Sequence, residues 1–250
     1  MIQGTSPTGS ATERQAAVWV RGMFGRIAPR YDLLNHILSL NIDRYWRART
    51  VARVAAVLQQ QDARVLDLCC GTGDLMLALE RKRAGAVLGS FVLGSDFSHP
   101  MLTAAERKVR HRRARAELFE SDALALPVAD RALDLITVAF GFRNLANYRS
   151  GLAELLRVLK PGGMLAILEF SQPRNRVLAA AYDFYSVMIL PRLGGWISGS
   201  KDAYSYLPES VRKFPGAEDL AEEMRQAGFE DVGFERMTGG IVALHFARKN

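Results

Sequence analysis

A chain of 250 residues, 49% of them hydrophobic, is long and apolar enough to bury one sizeable core. No apolar run reaches about 20 residues, the length that a membrane-spanning helix needs, and the polar N-terminus lacks the apolar core of a signal peptide. The net charge of +7 is compatible with binding to an anionic partner. These features predict a cytoplasmic protein with a disordered tail over residues 1–15 and a single domain over residues 16–250.

The cysteine and histidine pattern gives no sign of a metal site. Cys69 and Cys70 are neighbours, so they are poorly placed for a structural disulfide, and no CxxC spacing suggests zinc. The four histidines are scattered, and no two of them have the helical HxxxH spacing. We therefore expect reduced thiols and no bound metal.

Helical patterning dominates residues 18–58, with a break at the stretch IAPRYD, and an alternation of strands and helices follows. The predicted strands are Arg64–Leu68, Phe91–Ser95, Ala116–Phe119, Leu133–Phe140, Met164–Phe170, Phe229–Arg236 and Ile241–Ala247. The predicted helices between them are Asp74–Arg83, Pro100–Arg113, Arg149–Leu159 and Ala217–Ala227. This alternation is typical of an α/β fold whose parallel sheet is covered by helices on both faces, with ligands bound beyond the carboxyl ends of the strands.

The alternation is interrupted after the fifth predicted strand. Residues 171–215 carry many apolar and aromatic side chains, and we interpret them as an insertion over the ligand-binding edge of the sheet. The apolar stretch within them is too short to span a bilayer, is interrupted by Asp183 and ends at Pro191. The insertion could cover an apolar substrate, touch a membrane or form a homodimer contact, and the sequence leaves these alternatives open.

A glycine corner follows the first predicted strand in the stretch VLDLCCGTGDL. Gly71 and Gly73 allow a sharp turn and the close approach of a ligand. A dinucleotide fingerprint would need a third glycine where Met76 stands, and the acids Asp67 and Asp74 would repel a pyrophosphate. The sulfonium and ammonium groups of S-adenosylmethionine suit this acidic corner better, so the pattern disfavours a nicotinamide oxidoreductase.

Acids also follow the second and third predicted strands. Asp96 closes the second strand, where its two carboxylate oxygens can accept both hydroxyls of a ribose. Asp122 follows the third strand and could accept the amino group of an adenine, with the backbone N–H of Ala123 beside it. Each signal is weak alone, but three in order on consecutive strands predict the cofactor site of a methyltransferase.

Much of the positive charge lies in the segment Glu106–Glu117, which has six Lys or Arg residues against two Glu. Such a segment indicates either an anionic partner or a solvated helix face. No aromatic side chains are interleaved to stack on bases, so we favour the solvated face and expect no nucleic-acid partner. The charge is compatible with peripheral contact to an anionic membrane.

Longer motifs give the chain a resemblance to the class I S-adenosylmethionine-dependent methyltransferases, and more narrowly to the C-methyltransferases of menaquinone and ubiquinone biosynthesis. The stretches most specific to the narrower family are VRGMFGRIAPRYDLLNHILSLNIDRYWR, FGFRNLAN, YSYLPESVRKFP and MTGGIVALH. The stretches VLDLCCGTGDL and LLRVLKPGGMLAILEFSQP also match. The resemblance implies a Rossmann-like, mostly parallel seven-stranded sheet, a helical lid over residues 16–60 and a substrate-side insertion over residues 171–215.

The resemblance also implies transfer of a methyl group from S-adenosylmethionine to a ring carbon of a polyprenylated quinol, with no metal. We expect conversion of demethylmenaquinol to menaquinol. The alternatives are methylation of the ubiquinone precursor 2-polyprenyl-6-methoxy-1,4-benzoquinol and a non-catalytic module that holds quinones. The implied cofactor contacts are Thr72, Asp96, Asp122 and Ala123. Ala139 departs from the family pattern, because many relatives have a cofactor-touching serine there. Cys69 stands where methyltransferases in general often have a glycine, but cysteines are typical of the narrower family.

Arg143 and Asn144, in the stretch FGFRNLAN, follow the fourth strand, and the resemblance places them beside the substrate ring. A ring carbon becomes nucleophilic when the adjacent hydroxyl loses its proton. Arg143 keeps its charge, so we assign it to stabilising the ring oxyanion or to orienting a water that takes the proton. Asn144 can hydrogen-bond a ring oxygen. The structural alternative is a surface ion pair for Arg143 and a helix cap for Asn144.

Three further residues are candidates for contact with the ligands. Tyr31 and Asp32 lie in the N-terminal segment, which could close over the cofactor as a lid or could simply begin a helix. Tyr204 could line a quinone tunnel or pack in the core. An RNA or protein methyltransferase is the rival activity, and it would require the basic segment to bind its partner. A polyprenyl substrate resides in a bilayer, so a position peripheral to the inner membrane stays open.

Overall fold

The computed structural model describes most of the chain, namely residues 4–7, 9–84, 91–185, 188 and 201–250, with the backbone alone for residues 183 and 201–205. Part of the predicted insertion, residues 186–187 and 189–200, therefore lies outside the described residues. No helix in the described ranges combines the length and the apolar character that crossing a bilayer requires.

Seven strands form one sheet in the order β3-β2-β1-β4-β5-β7-β6. Their bounds are β1 Val65–Leu68, β2 Val92–Asp96, β3 Ala116–Glu120, β4 Leu133–Ala139, β5 Leu159–Phe170, β6 Phe229–Met237 and β7 Val242–Lys249. Strands β1 to β5 are parallel, and β7 runs antiparallel between β5 and β6. The mostly parallel seven-stranded sheet predicted from the sequence is confirmed.

The order of the strands reverses beside β1, which has β2 on one side and β4 on the other. Leu68, the last residue of β1, pairs with Ser95 of β2 and with Val138 of β4. The carboxyl ends of these three strands therefore open onto one edge of the sheet. In open α/β sheets this reversal is where ligands bind, so the loops that follow β1, β2 and β4 form the candidate site.

Helices lie before, between and after the strands. Their bounds are α1 Glu13–Ile27, α2 Tyr31–Leu38, α3 Ile42–Arg53, α4 Ala55–Leu58, α5 Asp74–Ala84, α6 His99–Arg112, α7 Tyr148–Val158, α8 Arg176–Phe184, α9 Lys201–Lys213 and α10 Ala217–Gln226. Each face of the sheet has its own apolar core. Leu66 and Leu68 of β1 pack with α7 and α10, whereas Val65 packs with α3, α4 and α5. This division follows from the alternation of side chains along a strand.

The N-terminal helices are joined to the rest of the domain by a third apolar cluster. It unites α1 and α2 with α6 and α9, and its fully buried members are Val20, Met23, Ile27, Ala28, Leu34, Met101 and Tyr206. Helix α1 begins after Thr12, whose side chain accepts a hydrogen bond from the Gln15 N–H. The helical N-terminal segment predicted from the sequence is thus present and is packed against α6.

The structure differs from the sequence prediction at two points. Residues 4–7 lie against the domain rather than forming a disordered tail, because the Thr5 N–H donates to the Leu145 carbonyl at 2.8 Å. Partners so distant in sequence leave no local signal. Strand β5 begins at Leu159 rather than Met164, because Leu159 pairs with Leu133 of β4 before the register shifts.

The connection between α4 and β1 is held by the buried guanidinium of Arg83. Its Nη1 donates to the carbonyl oxygens of Leu58 at 3.3 Å and Gln60 at 3.1 Å. Its Nη2 donates to those of Gln61 at 3.1 Å and Ala63 at 2.7 Å. These carbonyls follow the end of a helix, where backbone acceptors lack intrahelical partners. Arg83 therefore fixes where the chain enters β1, the strand that ends in the glycine corner.

Replacing Arg83 with methionine should lower the free energy of unfolding by about 2–4 kcal/mol, because several buried carbonyls lose their donor. Urea unfolding followed by circular dichroism measures this change. Arg81 is exposed on the same helix, and Arg81→Met should stay within about 0.5 kcal/mol of the parent. An equal loss in both variants would contradict a specific role for the guanidinium of Arg83.

Candidate active site

The corner after β1 passes through residues with left-handed backbone. The φ angle is 53° at Cys69, 55° at Gly71 and 84° at Gly73, and the Gly73 N–H donates to the Cys70 carbonyl at 2.8 Å. Glycine adopts such angles without strain, which accounts for two of these residues. A Cβ added to Gly141, in the loop after β4, would lie 2.3 Å from Cβ of Cys69. The two loops therefore meet only because glycine stands at this position.

Asp96 ends β2 and ties that strand to the glycine corner. Its Oδ2 accepts the Gly71 N–H at 2.9 Å, and its Oδ1 accepts the Ser98 N–H at 2.9 Å. Burial raises the pKa of Asp96 to about 6, although these backbone donors oppose the effect. Each carboxylate oxygen keeps a lone pair for a further donor, and ribose hydroxyls are donors of the required kind.

Asp122 and Ala123 follow β3 on the wall of the same cavity. Oδ1 of Asp122 accepts the Leu124 N–H at 2.9 Å, and Ala123 is buried. Both residues line the cavity together with Gly71 and Asp96. The structure thus brings together four of the residues that the sequence predicted for cofactor binding.

This cofactor cavity has a volume of about 70 Å³. Ala17 and Phe24 of α1 and Tyr31 of α2 line it opposite the strand ends, so the N-terminal segment forms its roof. Small-molecule sites commonly enclose about 300–1,000 Å³. The cavity is therefore smaller than most such sites, and α1 and α2 cover it.

Four other predicted residues lie beside the cofactor cavity without lining it: Asp67, Thr72, Gly73 and Asp74. Asp67 pairs with Thr137 of β4, and Oγ1 of Thr137 donates to Oδ1 of Asp67 at 2.6 Å. Burial raises the pKa of Asp67 to about 7. The acidic corner is therefore divided, because Asp96 borders the cavity whereas Asp67 is enclosed within the sheet.

Thr72 and Asp74 belong to a polar network that joins α2 to the rest of the domain. Nζ of Lys108, on α6, lies 2.6 Å from Oδ2 of Asp32 and 2.7 Å from Oδ1 of Asp74. It also donates to Oγ1 of Thr72 at 3.0 Å, and Thr72 donates to Oδ1 of Asp32 at 2.5 Å. Burial alone would raise the pKa of Asp74, but the Lys108 ammonium lowers it. Asp32 thus joins α2 to the glycine corner.

A second cavity of about 700 Å³ adjoins the first. Its lining is mostly apolar and aromatic and includes residues of α1, α2, α3, α8 and α9. Phe24, Tyr31 and Phe140 line both cavities, so they form the wall between them. We call the second space the apolar cavity, and its volume suits a ring that carries an aliphatic tail.

Arg143 lines the apolar cavity, and its guanidinium is buried against Glu169. Nη1 donates to the two carboxylate oxygens of Glu169 at 2.9 and 3.2 Å, and the Arg143 backbone N–H donates to Oε2 at 3.2 Å. Burial raises the pKa of Glu169. Burial works in the opposite direction on Arg143, yet the Glu169 carboxylate raises its pKa. Nε of Arg143 is buried and has no acceptor among the described residues.

Asn144 borders the cofactor cavity rather than the apolar one. Its Oδ1 accepts the Tyr206 hydroxyl at 3.0 Å, and its Nδ2 donates to the Phe140 carbonyl at 3.3 Å. Tyr206 lines the apolar cavity and lies 2.7 Å from the hydroxyl of Thr5. The adjacent residues Arg143 and Asn144 therefore serve different cavities, and Tyr206 links them.

Tyr31 stands over the glycine corner. A Cβ added at Gly71 would lie 3.7 Å from Cε1 of Tyr31. Burial raises the pKa of Tyr31, although a hydrogen bond with Asn35 and the charge of Arg143 act against it. The phenol is therefore neutral near pH 7. Tyr204 lies in α9, but its side chain is outside what the structure describes.

Sequence reasoning missed several residues of the apolar cavity wall. Ring centroids of Phe140 and Phe170 are 4.9 Å apart, and those of Trp46 and Phe140 are 5.8 Å apart. Aromatic residues carry no positional signal, since they are equally expected in a core. Glu169 did carry one, because an acid inside the apolar run LAILEF needs a buried partner.

The lining of the cofactor cavity fits an adenosyl sulfonium better than a nucleotide phosphate. Two carboxylates border it, and no Lys or Arg does within the described part of the chain. Bare backbone at Gly71 and Gly141 lets a ligand approach closely. Over the same ranges, no group of three His, Cys, Asp or Glu side chains is arranged to hold a metal ion.

Comparison with known proteins places these features in a family context. The model of the ubiE/COQ5 methyltransferase family matches residues 10–249. A demethylmenaquinone methyltransferase of Thermus thermophilus is 48% identical over 223 residues, covering 89% of this chain and 98% of that protein. A ubiquinone/menaquinone biosynthesis C-methyltransferase UbiE of Syntrophotalea carbinolica is 44% identical over 225 residues, with coverage of 90% and 92%.

The fold is also that of solved methyltransferases. A structure from Thermotoga maritima described as a SAM-dependent methyltransferase superposes with a TM-score of 0.65 at 18% identity. The match covers 92% of this chain and all of that one, 100%. At this identity the likeness concerns the arrangement of the sheet and helices alone.

The buried carboxyl of Asp67 should make stability depend on pH in a defined direction. Its folded pKa, about 7, lies above its ordinary value of 3.8, so the folded state binds this proton more tightly. The stabilisation is present at low pH and is lost as the pH rises through the folded pKa. Asp67→Asn keeps an acceptor for Thr137 but does not ionise. Relative to the parent, this variant should gain at least about 1 kcal/mol between about pH 4 and pH 8.

Chemical unfolding of both proteins at a series of pH values measures this difference. The effects of all other groups cancel when the parent is subtracted from the variant. A difference that stays constant across the range would show that Asp67 titrates normally in the folded state.

Proposed function

The chain belongs to the ubiE/COQ5 methyltransferase family, and on that premise we propose that it methylates a ring carbon of demethylmenaquinol. The methyl donor of this S-adenosylmethionine-dependent enzyme would occupy the cofactor cavity, and the quinol the apolar one. The observation that carries the proposal is the contact between the two cavities at Phe24, Tyr31 and Phe140. A polyprenylated quinol needs a large apolar space whose end lies next to the methyl donor.

The menaquinone branch is favoured by the names of relatives. Proteins of Thermus thermophilus and Deinococcus radiodurans, 48% and 44% identical to this chain, are named demethylmenaquinone methyltransferase. The ubiquinone precursor is the alternative substrate, because the Syntrophotalea carbinolica relative is named for both pathways. The two substrates share a quinol ring and a polyprenyl tail, so the same cavity would serve either.

Arg143 is the proposed catalytic residue. A quinol carbon becomes a nucleophile when the neighbouring hydroxyl loses its proton and the oxyanion pushes electron density into the ring. We place that oxyanion against the guanidinium of Arg143, which lines the apolar cavity. The guanidinium stays protonated, so the proton leaves to water. The methyl group passes to the ring carbon as its bond to the sulfonium sulfur breaks, leaving a neutral thioether. The same ring carbon then loses its hydrogen as a proton to water, and the ring regains aromaticity.

Glu169 and Asn144 have supporting roles in this proposal. Glu169 is a positioning residue, because its two oxygens fix Nη1 of Arg143 and hold the guanidinium at the wall of the apolar cavity. Asn144 accepts the Tyr206 hydroxyl, which directs that phenol along the shared wall.

Four residues of the cofactor cavity would hold the methyl donor. S-adenosylmethionine, when bound, supplies a methyl group already activated by its sulfonium. Asp96 would accept the ribose hydroxyls, Asp122 and the Ala123 N–H would bind the adenine edge, and Gly71 would allow the close approach. Lys108 would hold α2 closed over the cofactor cavity through Asp32. A homodimer and peripheral membrane contact are compatible with this arrangement.

Replacing Arg143 with glutamine should lower kcat by about 100- to 1,000-fold, because the oxyanion loses a charged donor. The affinity for S-adenosylmethionine should change by less than about threefold, since Arg143 does not line the cofactor cavity. Turnover is measured with radiolabelled S-adenosylmethionine and demethylmenaquinol under reducing conditions, and affinity by calorimetry.

A matched control is needed for the carboxylate of Glu169, which loses its charged partner in this variant. Arg143→Gln leaves the Glu169 carboxylate buried without its partner, which destabilises a fold by about 3–5 kcal/mol. The double variant Arg143→Gln with Glu169→Gln removes both charges and should recover stability without recovering turnover. Recovery of turnover in the double variant would refute a direct role for the guanidinium.

Asp96→Asn should weaken S-adenosylmethionine binding by about 10- to 100-fold while kcat at saturation is largely kept, because the carboxylate contacts the ribose and not the methyl group. Calorimetry and the methylation assay separate these two effects. Asp219→Asn, an exposed acid on α10, is the control and should leave both quantities unchanged. A loss of kcat with unaltered affinity would place Asp96 outside the ribose site.

A further inference from the structure

Two helices that wall the apolar cavity also present apolar side chains to the outside. Helix α2 exposes Leu33 and Ile37, which lie one turn apart, and the turn after it exposes Leu40 with 75% of its surface accessible. Helix α8 exposes Val177 at 79% and Phe184 at 60%. Their spacing of seven residues puts Val177 and Phe184 on one face of that helix. We call these five side chains the apolar rim.

The inner faces of the same helices line the apolar cavity. Leu38 of α2 and Leu178 and Tyr182 of α8 belong to its lining. The hydroxyl of Tyr185, at the end of α8, donates to the Leu38 carbonyl at 2.7 Å and joins the two helices. Helix α8 is thus apolar on its cavity face and on its outer face. Such a helix is suited to an apolar surrounding on both sides.

The mouth of the cavity lies beside the apolar rim. Some residues line the cavity and are also exposed, so they mark where it reaches the surface: Leu40, Ile42, Gln172, Ala181 and Arg212. Most of these are apolar, and they come from the turn after α2, from α8 and from their neighbours. Leu40, Ile42 and Ala181 therefore give an aliphatic chain an apolar path between a surrounding apolar phase and the cavity.

The backbone at Leu40 shows that folding alone does not favour this residue. Leu40 and Asn41 have φ angles of 51° and 62°, the left-handed conformation that commonly ends a helix. Glycine is the usual residue there, since a side chain is strained in this conformation. A leucine is unfavourable for the backbone and, because it is exposed, for hydration as well. Contact with an external apolar phase would reverse the second of these penalties.

We propose that the apolar rim docks on an anionic phospholipid bilayer and opens the apolar cavity to its hydrocarbon interior. The net charge of +7 favours anionic headgroups, and exposed arginines stand next to the rim, namely Arg44, Arg176 and Arg212. The inference rests on the proposed function, because a polyprenylated quinol resides in the bilayer and must be drawn from it.

Sedimentation of the full chain with vesicles of phosphatidylcholine and phosphatidylglycerol tests the docking without any substrate. The double variant Leu33→Ser with Ile37→Ser should partition about tenfold less onto these vesicles. The control is Val18→Ser with Phe91→Ser, two exposed apolar residues of α1 and of the approach to β2, and it should bind as the parent does. Equal binding by the rim variant, or an equal loss in the control, overturns the proposal.

Leu40→Gly separates docking from folding. It relieves the left-handed strain, so thermal stability should stay the same or rise while vesicle binding falls about threefold or more. Unchanged vesicle binding in this variant would count against the proposal. The alternative partner of the apolar rim is a second copy of the chain, and analytical ultracentrifugation tests for it. If the rim variants convert a dimer into a monomer and bind vesicles normally, the rim is a dimer interface and the proposal is wrong.

Turnover distinguishes this inference from the proposed function. On a short-chain, water-soluble demethylmenaquinol the Leu33→Ser, Ile37→Ser variant should keep the parental rate, since neither residue lines the cavity. On a long-chain quinol embedded in vesicles its rate should fall about as much as its binding. A parent protein that binds vesicles but methylates neither quinol would refute the proposed function alone. Equal rates on the embedded quinol would refute the docking role.

Discussion

The buried ion pair between Arg143 and Glu169 is the interaction on which the site depends. Glu169 is an acid in the middle of a buried strand, and a carboxylate there is tolerated only with a partner. Its two oxygens bind both the guanidinium and the backbone N–H of Arg143. The loop after β4 is thereby held against β5, which sets Phe140 between the cavities and Asn144 on the cofactor side. One pairing thus positions groups that serve two ligands.

Helices α1 and α2 are held over the cofactor cavity by two kinds of contact. An apolar cluster that includes Met23, Leu34 and Met101 packs them against α6. At the start of α2, the partly buried ammonium of Lys108 holds Asp32 next to the glycine corner. Apolar packing is non-directional, whereas a charged hydrogen bond fixes the position of its partner. The apolar cluster therefore holds the two helices on the domain, and the Lys108 contact sets where α2 lies relative to the glycine corner.

Much of the fold could be predicted because its signals are local. Short apolar strands that alternate with helices indicate a parallel sheet. The position of Asp96 at the end of a predicted strand indicates a ligand site from the sequence alone. The enclosure of the Asp67 side chain within the sheet could not be predicted in this way, because its contact with Thr137 depends on the register between β1 and β4. The partnership of Glu169 with Arg143 depends likewise on which strands are neighbours. Residues 4–7 gave no signal either, since Thr5 contacts Tyr206 across the whole chain.

The two cavities meet at Phe24, Tyr31 and Phe140. A quinol ring in the apolar cavity would therefore lie against Arg143 and next to a methyl donor in the cofactor cavity. A crystal structure of the full chain with S-adenosylhomocysteine and a short-chain demethylated naphthoquinol tests this arrangement most directly. We expect the ribose hydroxyls to lie on Asp96 and a ring oxygen to lie within about 3 Å of a guanidinium nitrogen of Arg143. A ring bound outside the apolar cavity, or a ring with no oxygen near that guanidinium, would show that the proposed arrangement is wrong.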